Sequence, residues 1–204
     1  MDGNSKKIII GILALQGAVD LHIETLKNVF LKRNVDYEIR LVKTSNDLEE
    51  LDGIILPGGE STTMINLMER SDLNIELKKR LKTNLYSFGT CAGLILLANY
   101  FKVLDCNVKR NAYGSQIDSF ETKVDFVEKN LISNAFFIRA PRIQSNGETK
   151  VIAVHDNEVV GVSNNHHIGL TFHPEVAKCS DFHDFFIERI LSDINKLDNL
   201  VVES

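Results

Sequence analysis

Residues 85–100 read LYSFGTCAGLILLANY and join a short apolar strand to an apolar helix through a sharp turn. The pattern predicts a strand over residues 85–88 and a helix over residues 92–100. The pentapeptide GTCAG between them has the form G-x-nucleophile-x-G, in which the two glycines let strand and helix approach without side-chain collision. A strand followed directly by a helix is the repeating unit of an α/β fold.

The same alternation runs through the first hundred residues. Apolar runs predict strands over residues 8–15, Tyr37–Val42 and Gly53–Leu56, with helices over residues 19–32, from Ser61 to Glu69, and over Leu73–Leu81. Ser61-Thr62-Thr63 supplies the cap of the second of these helices. This order predicts a mainly parallel central sheet with helices on both faces.

The second half of the chain carries more strands and one closing helix. Strands are predicted over residues 151–154, 159–163 and 169–172, with a hairpin turn at residues 155–158, and a helix over residues 181–197. We find no repeat and no linker, so residues 1–204 are interpreted as a single domain, with residues 198–204 as a flexible tail.

Composition excludes several classes of function. The net charge of −5, without a cluster of lysines and arginines, argues against binding nucleic acid or an anionic membrane surface. No apolar run reaches the ~18–20 residues that span a bilayer. Three cysteines without C-x-x-C spacing predict neither a disulfide framework nor a metal site, and indicate a reducing cytoplasm.

Cys91, at the centre of GTCAG, is the candidate nucleophile. The helix that follows directs its N-terminal N–H groups and the positive end of its dipole at the sulfur, which favours a thiolate. Cys106 and Cys179 carry no comparable pattern and are interpreted as structural.

A cysteine nucleophile needs a base and a group that orients the base. Phe172-His173-Pro174-Glu175 provides both, because residues two apart on an extended chain point to the same side. The competing bases are weaker: His22 and His183 fall in helical patterns and are interpreted as surface or packing residues. His155 lies in the predicted turn, and His166-His167 has no acidic neighbour.

The loop Pro57-Gly58-Gly59-Glu60-Ser61 ends the third predicted strand. Its glycines expose backbone N–H groups above the sheet edge, but it lacks the lysine and the spacing of a phosphate-binding P-loop. The loop therefore suits an oxyanion, held by its N–H groups, and a substrate ammonium group, held by its acidic residue, better than a phosphate.

Together, GTCAG, FHPE and PGGES resemble the class I glutamine amidotransferases, whose Cys-His-Glu triad sits on a flavodoxin-like, three-layer α/β sandwich. LALQGA (residues 13–18), RNAYG (110–114), SFE (119–121) and FIRAP (137–141) make the resemblance narrower. The chain resembles the glutaminase subunits of pyridoxal 5′-phosphate synthase, the PdxT family, from about residue 8 to residue 190.

The resemblance implies a role for each matching residue. Cys91 would attack the glutamine amide, His173 would transfer protons and Glu175 would orient His173. The N–H groups of Gly59 and Ala92 would form the oxyanion hole. The implied glutamine-binding residues are Gly59, Glu60, Ser61, Arg110, Ile138 and Arg139, and Gln16 would contact a partner and complete the oxyanion hole.

The family also implies a partner, a synthase subunit that receives the ammonia in a complex of twelve glutaminases around twelve synthase subunits, and it implies no cofactor. Around FHPE the chain departs from the family, with residues 162–167 reading VSNNHH and residues 176–179 reading VAKC.

Two alternative functions stay open: a related cysteine hydrolase of peptides or γ-glutamyl conjugates, and a regulatory subunit without activity.

Overall fold

The computed structural model describes residues 7–110 and 119–202, and side chains as far as residue 196. Its strands are β1 (Ile8–Leu13), β2 (Tyr37–Val42), β3 (Gly53–Leu56), β4 (Tyr86–Thr90), β5 (Asn107–Lys109), β6 (Phe120–Phe126), β7 (Leu131–Phe137), β8 (Arg142–Ser145), β9 (Lys150–His155), β10 (Glu158–Ser163) and β11 (His167–Leu170). Its α-helices are α1 (Val19–Arg33), α2 (Ser61–Arg70), α3 (Leu73–Leu81), α4 (Ala92–Ile95) and α5 (Asp181–Val202).

Within the described ranges, nine strands form one sheet in the order β2-β1-β3-β4-β11-β10-β9-β6-β7. The pairs from β2 to β11 are parallel, and the pairs from β11 to β7 are antiparallel. The parallel part has the 2-1-3-4-5 order of flavodoxin-like folds, which bind ligands beyond the carboxyl ends of their strands.

Helices cover both faces of the parallel strands, as the sequence predicts. Successive residues of β3 show this, because Ile55 packs on one face of the sheet whereas Ile54 and Leu56 pack on the other. The first face is covered by α1 and α5, and the second by α2, α3 and the helix that begins at Ala92. The result is the predicted three-layer α/β sandwich.

Four strands, β5 to β8, lie in a stretch for which the sequence analysis makes no prediction. The β6–β7 hairpin forms one end of the large sheet, and only alternate side chains such as Val124 and Phe126 are buried. Its apolar signal is therefore half as dense as that of the central strands. The predicted hairpin turn between β9 and β10 is confirmed, with left-handed backbone at Asp156 and Asn157.

Three predicted boundaries are corrected. The helix after the elbow changes at Leu96 into a π-helical segment, Leu96–Tyr100. Ser61 does not cap α2: Glu60 occupies the cap position with extended backbone and no side-chain cap hydrogen bond, and Ser61 is the first helical residue. The closing helix continues past residue 197 to Val202, into the segment interpreted as a tail.

Candidate active site

Cys91 occupies the turn between β4 and α4 with φ 49° and ψ −101°, a backbone conformation that residues with a side chain rarely adopt. Its N–H donates to the carbonyl oxygen of Leu170 at 2.8 Å. A Cβ atom on Gly89 would lie 2.6 Å from the backbone of Gly93, and one on Gly93 would lie 1.9 Å from the carbonyl oxygen of Leu56. Both glycines are therefore required by close packing, as the elbow motif predicts.

His173 reaches Cys91 because β11 lies beside β4. Leu170 pairs with Thr90, so the two parallel strands end at the same level. Beyond β11 the chain is fixed by the His173 N–H, which donates to the Phe136 carbonyl at 2.8 Å. The side chains of His173 and Cys91 line the same cavity, and Nδ1 of His173 lies 2.8 Å from Oε1 of Glu175. The structure thus brings the three predicted triad side chains together.

The triad side chains shift one another's pKa values towards the charged forms of His173 and Glu175. Burial lowers the pKa of His173, but hydrogen bonds with Cys91 and Glu175 outweigh burial and raise it to about 10. Burial raises the pKa of Glu175, whereas the neighbouring His22 and the hydrogen bond with His173 have the larger combined effect and lower it. His173 is therefore held as an imidazolium between a carboxylate and a sulfur that carries negative charge when it acts as a nucleophile.

Behind the triad lie two histidines that the sequence analysis interprets as surface or packing residues. His22 and His183 are fully buried, and Nε2 of His22 lies 3.4 Å from Oε1 of Glu175. His22 Nδ1 lies 2.8 Å from Nε2 of His183. The surface interpretation is wrong for both residues, because α1 and α5 pack side by side over the strand that carries the nucleophile.

The loop after β3 forms one wall of the site. The backbone N–H of Glu60 donates to Oε1 of Gln16 at 2.9 Å, which ties this loop to the end of β1. A Cβ atom on Gly58 would lie 2.1 Å from Cε1 of His173, so a side chain there would displace the imidazole. Gly59 has φ 154°, a backbone conformation that favours glycine. A Cβ atom built on it would lie 3.3 Å from Cα of Gly17.

A cavity of about 570 Å³ opens above Cys91 and His173, a volume in the range of small-molecule sites. Nη1 of Arg110 donates to Oγ1 of Thr62 at 2.9 Å, which holds this guanidinium at the rim. Sγ of Cys91 lies 4.0 Å from the carbonyl oxygen of Ile138. The predicted residues that line the cavity are Gln16, Gly59, Glu60, Ser61, Cys91, Arg110, Ile138, Arg139 and His173.

Two predicted residues do not line the cavity. Glu175 is buried behind His173, as an orienting residue should be, and Ala92 follows Cys91 as the first residue of α4. Residues 111–114 of the RNAYG motif lie outside the described residues. Thr62 and Pro141 also line the cavity; the patterns that contain them, Ser61-Thr62-Thr63 and FIRAP, do not mark either residue as a binding residue.

His167, one of the competing candidate bases, lies away from Cys91. Nδ1 of His167 lies 2.8 Å from Oγ of Ser87, at the opposite end of β4 from Cys91. No group of three or more His, Cys, Asp or Glu side chains with metal-binding geometry occurs among the described residues. In the same part of the chain, no helix is both long and apolar enough to cross a bilayer.

Comparisons with families, sequences and solved structures all match this chain to glutamine amidotransferases. The family model described as "SNO glutamine amidotransferase family" matches residues 12–192. A pyridoxal 5′-phosphate synthase subunit PdxT of Pyrococcus furiosus is 41% identical over 196 residues, covering 89% of this chain and 98% of its own. PdxT of Thermotoga maritima is 40% identical over 194 residues, with the same two coverages. A crystal structure of a glutamine amidotransferase superposes with a TM-score of 0.78 at 35% identity, covering 89% of this chain and 98% of its own.

Proposed function

Since this chain belongs to the SNO glutamine amidotransferase family, we propose that it hydrolyses L-glutamine to L-glutamate and ammonia as the glutaminase subunit of a pyridoxal 5′-phosphate synthase. One observation carries the proposal: Cys91 stands at a strained elbow and shares a cavity with a histidine that is paired with a buried glutamate. Such an arrangement serves nucleophilic acyl transfer, in which one residue attacks, one moves protons and one orients the second.

The reaction has two halves. The Cys91 sulfur attacks the side-chain amide carbon of glutamine while His173 gives its proton to the amide nitrogen, so that ammonia leaves and a γ-glutamyl thioester remains. His173 then takes a proton from water, the resulting hydroxide attacks the thioester, and glutamate leaves as the thiol is restored. The N–H groups of Gly59 and Ala92 hold the oxyanion in both halves, and one such donor is worth about 3 kcal/mol of barrier.

The cavity residues fit an amino acid substrate. Arg110 and Arg139 supply positive charge for the α-carboxylate, and Glu60 supplies negative charge for the α-ammonium group. Ser61 and Ile138 also line the cavity, and the Ile138 carbonyl oxygen lies 4.0 Å from Sγ of Cys91. The glutamine side chain then extends towards Cys91.

The ammonia serves a synthase subunit. Gln16 lies at the cavity rim and is already bonded to the loop that carries Gly59, so a partner that contacts Gln16 acts directly on the oxyanion hole. Twelve such subunits decorate a twelve-subunit synthase core, and the complex works in the cytoplasm. The unpaired state of Cys91, Cys106 and Cys179 supports that location.

The test is ammonia release from L-glutamine with and without the synthase subunit. The native chain and Cys106→Ala, which changes a cysteine outside the site, are expected to release ammonia at similar rates that rise with the synthase. Cys91→Ala should release none, while its binding to the synthase, followed by gel filtration, is unchanged. Turnover of γ-glutamyl conjugates or peptides without turnover of glutamine would overturn the proposal, and so would a native chain that binds the synthase but releases no ammonia.

A further inference from the structure

Glu175 is a buried carboxylate of which only one oxygen has a polar partner among the described residues. Its side chain is fully buried, and its Oε2 has no hydrogen-bond partner among the described residues. A buried carboxylate stays ionised only when donors or positive charges replace the water it has lost. Here the neighbours of Oε1 are His173 at 2.8 Å and His22 at 3.4 Å. Each of these two contacts therefore has a large share in keeping Glu175 charged.

Hydrogen-bond accounting fixes the proton positions on His22 and His183. Burial lowers the pKa of both imidazoles, to about 3 for His183, so both are neutral and each carries one N–H. Nδ1 of His183 has no partner among the described residues. An N–H placed there would be a buried unsatisfied donor, which costs more than an unused ring acceptor. The proton of His183 therefore lies on Nε2 and is donated to Nδ1 of His22.

This arrangement leaves the proton of His22 on Nε2, facing Glu175. The opposite tautomer would turn a nitrogen lone pair towards the carboxylate, which is repulsive. The same nitrogen also forms a hydrogen bond with Oγ1 of Thr90 at 3.4 Å. The rings of His22 and His183 are held in place by Phe88, which packs edge-on against both. The donors thus run in one direction, from His183 to His22, whose Nε2–H faces both Oγ1 of Thr90 and the triad carboxylate.

We infer that His22 is a positioning residue for the triad: its Nε2–H faces the Glu175 carboxylate, helps to keep it ionised and fixes Oε1 against Nδ1 of His173. His183 fixes the tautomer of His22. The inference deepens the proposed function, on which it rests. It assigns to α1 and α5 a direct part in holding the catalytic geometry.

The inference implies a pH effect with a definite sign. The titratable groups that face Glu175 are His22 from α1, His173 from its own loop and His183 from α5, with Cys91 beyond His173. Removal of the donor from His22 disfavours the charged carboxylate, so Glu175 takes up a proton at higher pH. The acid limb of the activity profile should then move upward.

The test compares two variants. His22→Leu fills a similar volume but removes the N–H group, whereas His22→Gln keeps an N–H group at the end of the side chain. Relative to the native chain with its synthase, His22→Leu should lower kcat about tenfold or more, with little change in KM, and move the acid limb up by about one pH unit. His22→Gln should recover most of both effects. His167→Gln, a change at a buried neutral histidine away from the triad, is the matched control and should leave the acid limb in place.

Two further measurements separate this inference from the proposed function. The pH dependence of Cys91 alkylation by iodoacetamide, followed by peptide mapping, reports the triad without glutamine and should shift in the same way. Nitrogen-15 NMR of the native chain should show His22 and His183 as neutral Nε2–H tautomers. A protonated or Nδ1–H His22 would overturn the inference, and so would equal losses in the Leu and Gln variants with an unmoved acid limb. A native chain without glutaminase activity would instead overturn the proposed function.

Discussion

Gly93 packs so closely against the carbonyl of Leu56 that a Cβ atom on it would lie 1.9 Å from the oxygen. The contact joins the first turn after the nucleophile to the strand that leads into the Gly58–Gly59 loop. Because the obstacle is backbone and not the end of a flexible side chain, neither partner can move aside locally. The position of Cys91 above the sheet therefore depends on the missing side chain at residue 93.

We expect Gly93→Ala to destabilise the chain by about 3 kcal/mol or more and to abolish glutaminase activity. Urea unfolding measures the first effect. The control is Gly11→Ala on β1, where the new Cβ atom meets only side-chain ends of Leu51 and Val42 and the cost should be about 1 kcal/mol. Equal stability losses in the two variants would contradict this account of the elbow.

The three thiols should differ strongly in reactivity. Burial raises the pKa of Cys106 and of Cys179 to about 11, so very little thiolate exists at either residue near pH 7. Cys91 instead lies next to the imidazolium of His173. With limiting iodoacetamide at pH 7, peptide mapping should find Cys91 alkylated roughly 100-fold faster than the other two. Comparable rates at Cys91 and Cys179 would show that the His173 contact does not activate the sulfur.

Arg139 should govern substrate binding more than chemistry. Its backbone is left-handed, with φ 41°, and it lines the cavity between Ile138 and Pro141. Loss of a charge-assisted hydrogen bond to the substrate carboxylate should raise KM for glutamine about 10- to 100-fold in Arg139→Gln, with a smaller change in kcat. Arg142→Gln is the control, since Arg142 pairs with Glu158 outside this cavity, and its KM should stay at the native value.

Stability should fall as the pH drops below 6.5. Burial lowers the pKa of His22, His167 and His183, to about 4 for His167 and about 3 for His183, so these groups take up protons mainly on unfolding. Between pH 6.5 and 4, His167 and His183 can each remove up to about 1.4 kcal/mol of unfolding free energy per pH unit. His173 has the opposite sign: its raised pKa gives stability that is present below pH 6.5 and is lost as the pH rises towards 10.

His167→Gln tests this pH dependence, because it removes one titrating group and leaves the triad untouched. Urea unfolding at several pH values between 4 and 7 should give a flatter slope in the variant than in the native chain. An identical slope in both proteins would show that His167 is not held neutral by burial.

The sequence predicts the parts of the site whose contacts are local. The glycines of GTCAG and the spacing of His173 and Glu175 act over a few residues, so a linear pattern reveals them. The contact between His22 and Glu175 depends on the packing of α1 and α5 over β4, and an isolated histidine in a helical pattern does not signal it. The π-helical segment after Ile95 was hidden for a similar reason, because its apolar residues suit an α-helix equally well.

The most direct test of the central claim is to trap the thioester. The native chain is mixed with saturating glutamine and its synthase, quenched in acid within the first turnovers, and digested for mass spectrometry. The account predicts one γ-glutamyl group on the peptide that carries Cys91, and none in Cys91→Ala. Ammonia release at the native rate by Cys91→Ala, with no glutamyl group on any cysteine, would contradict the account.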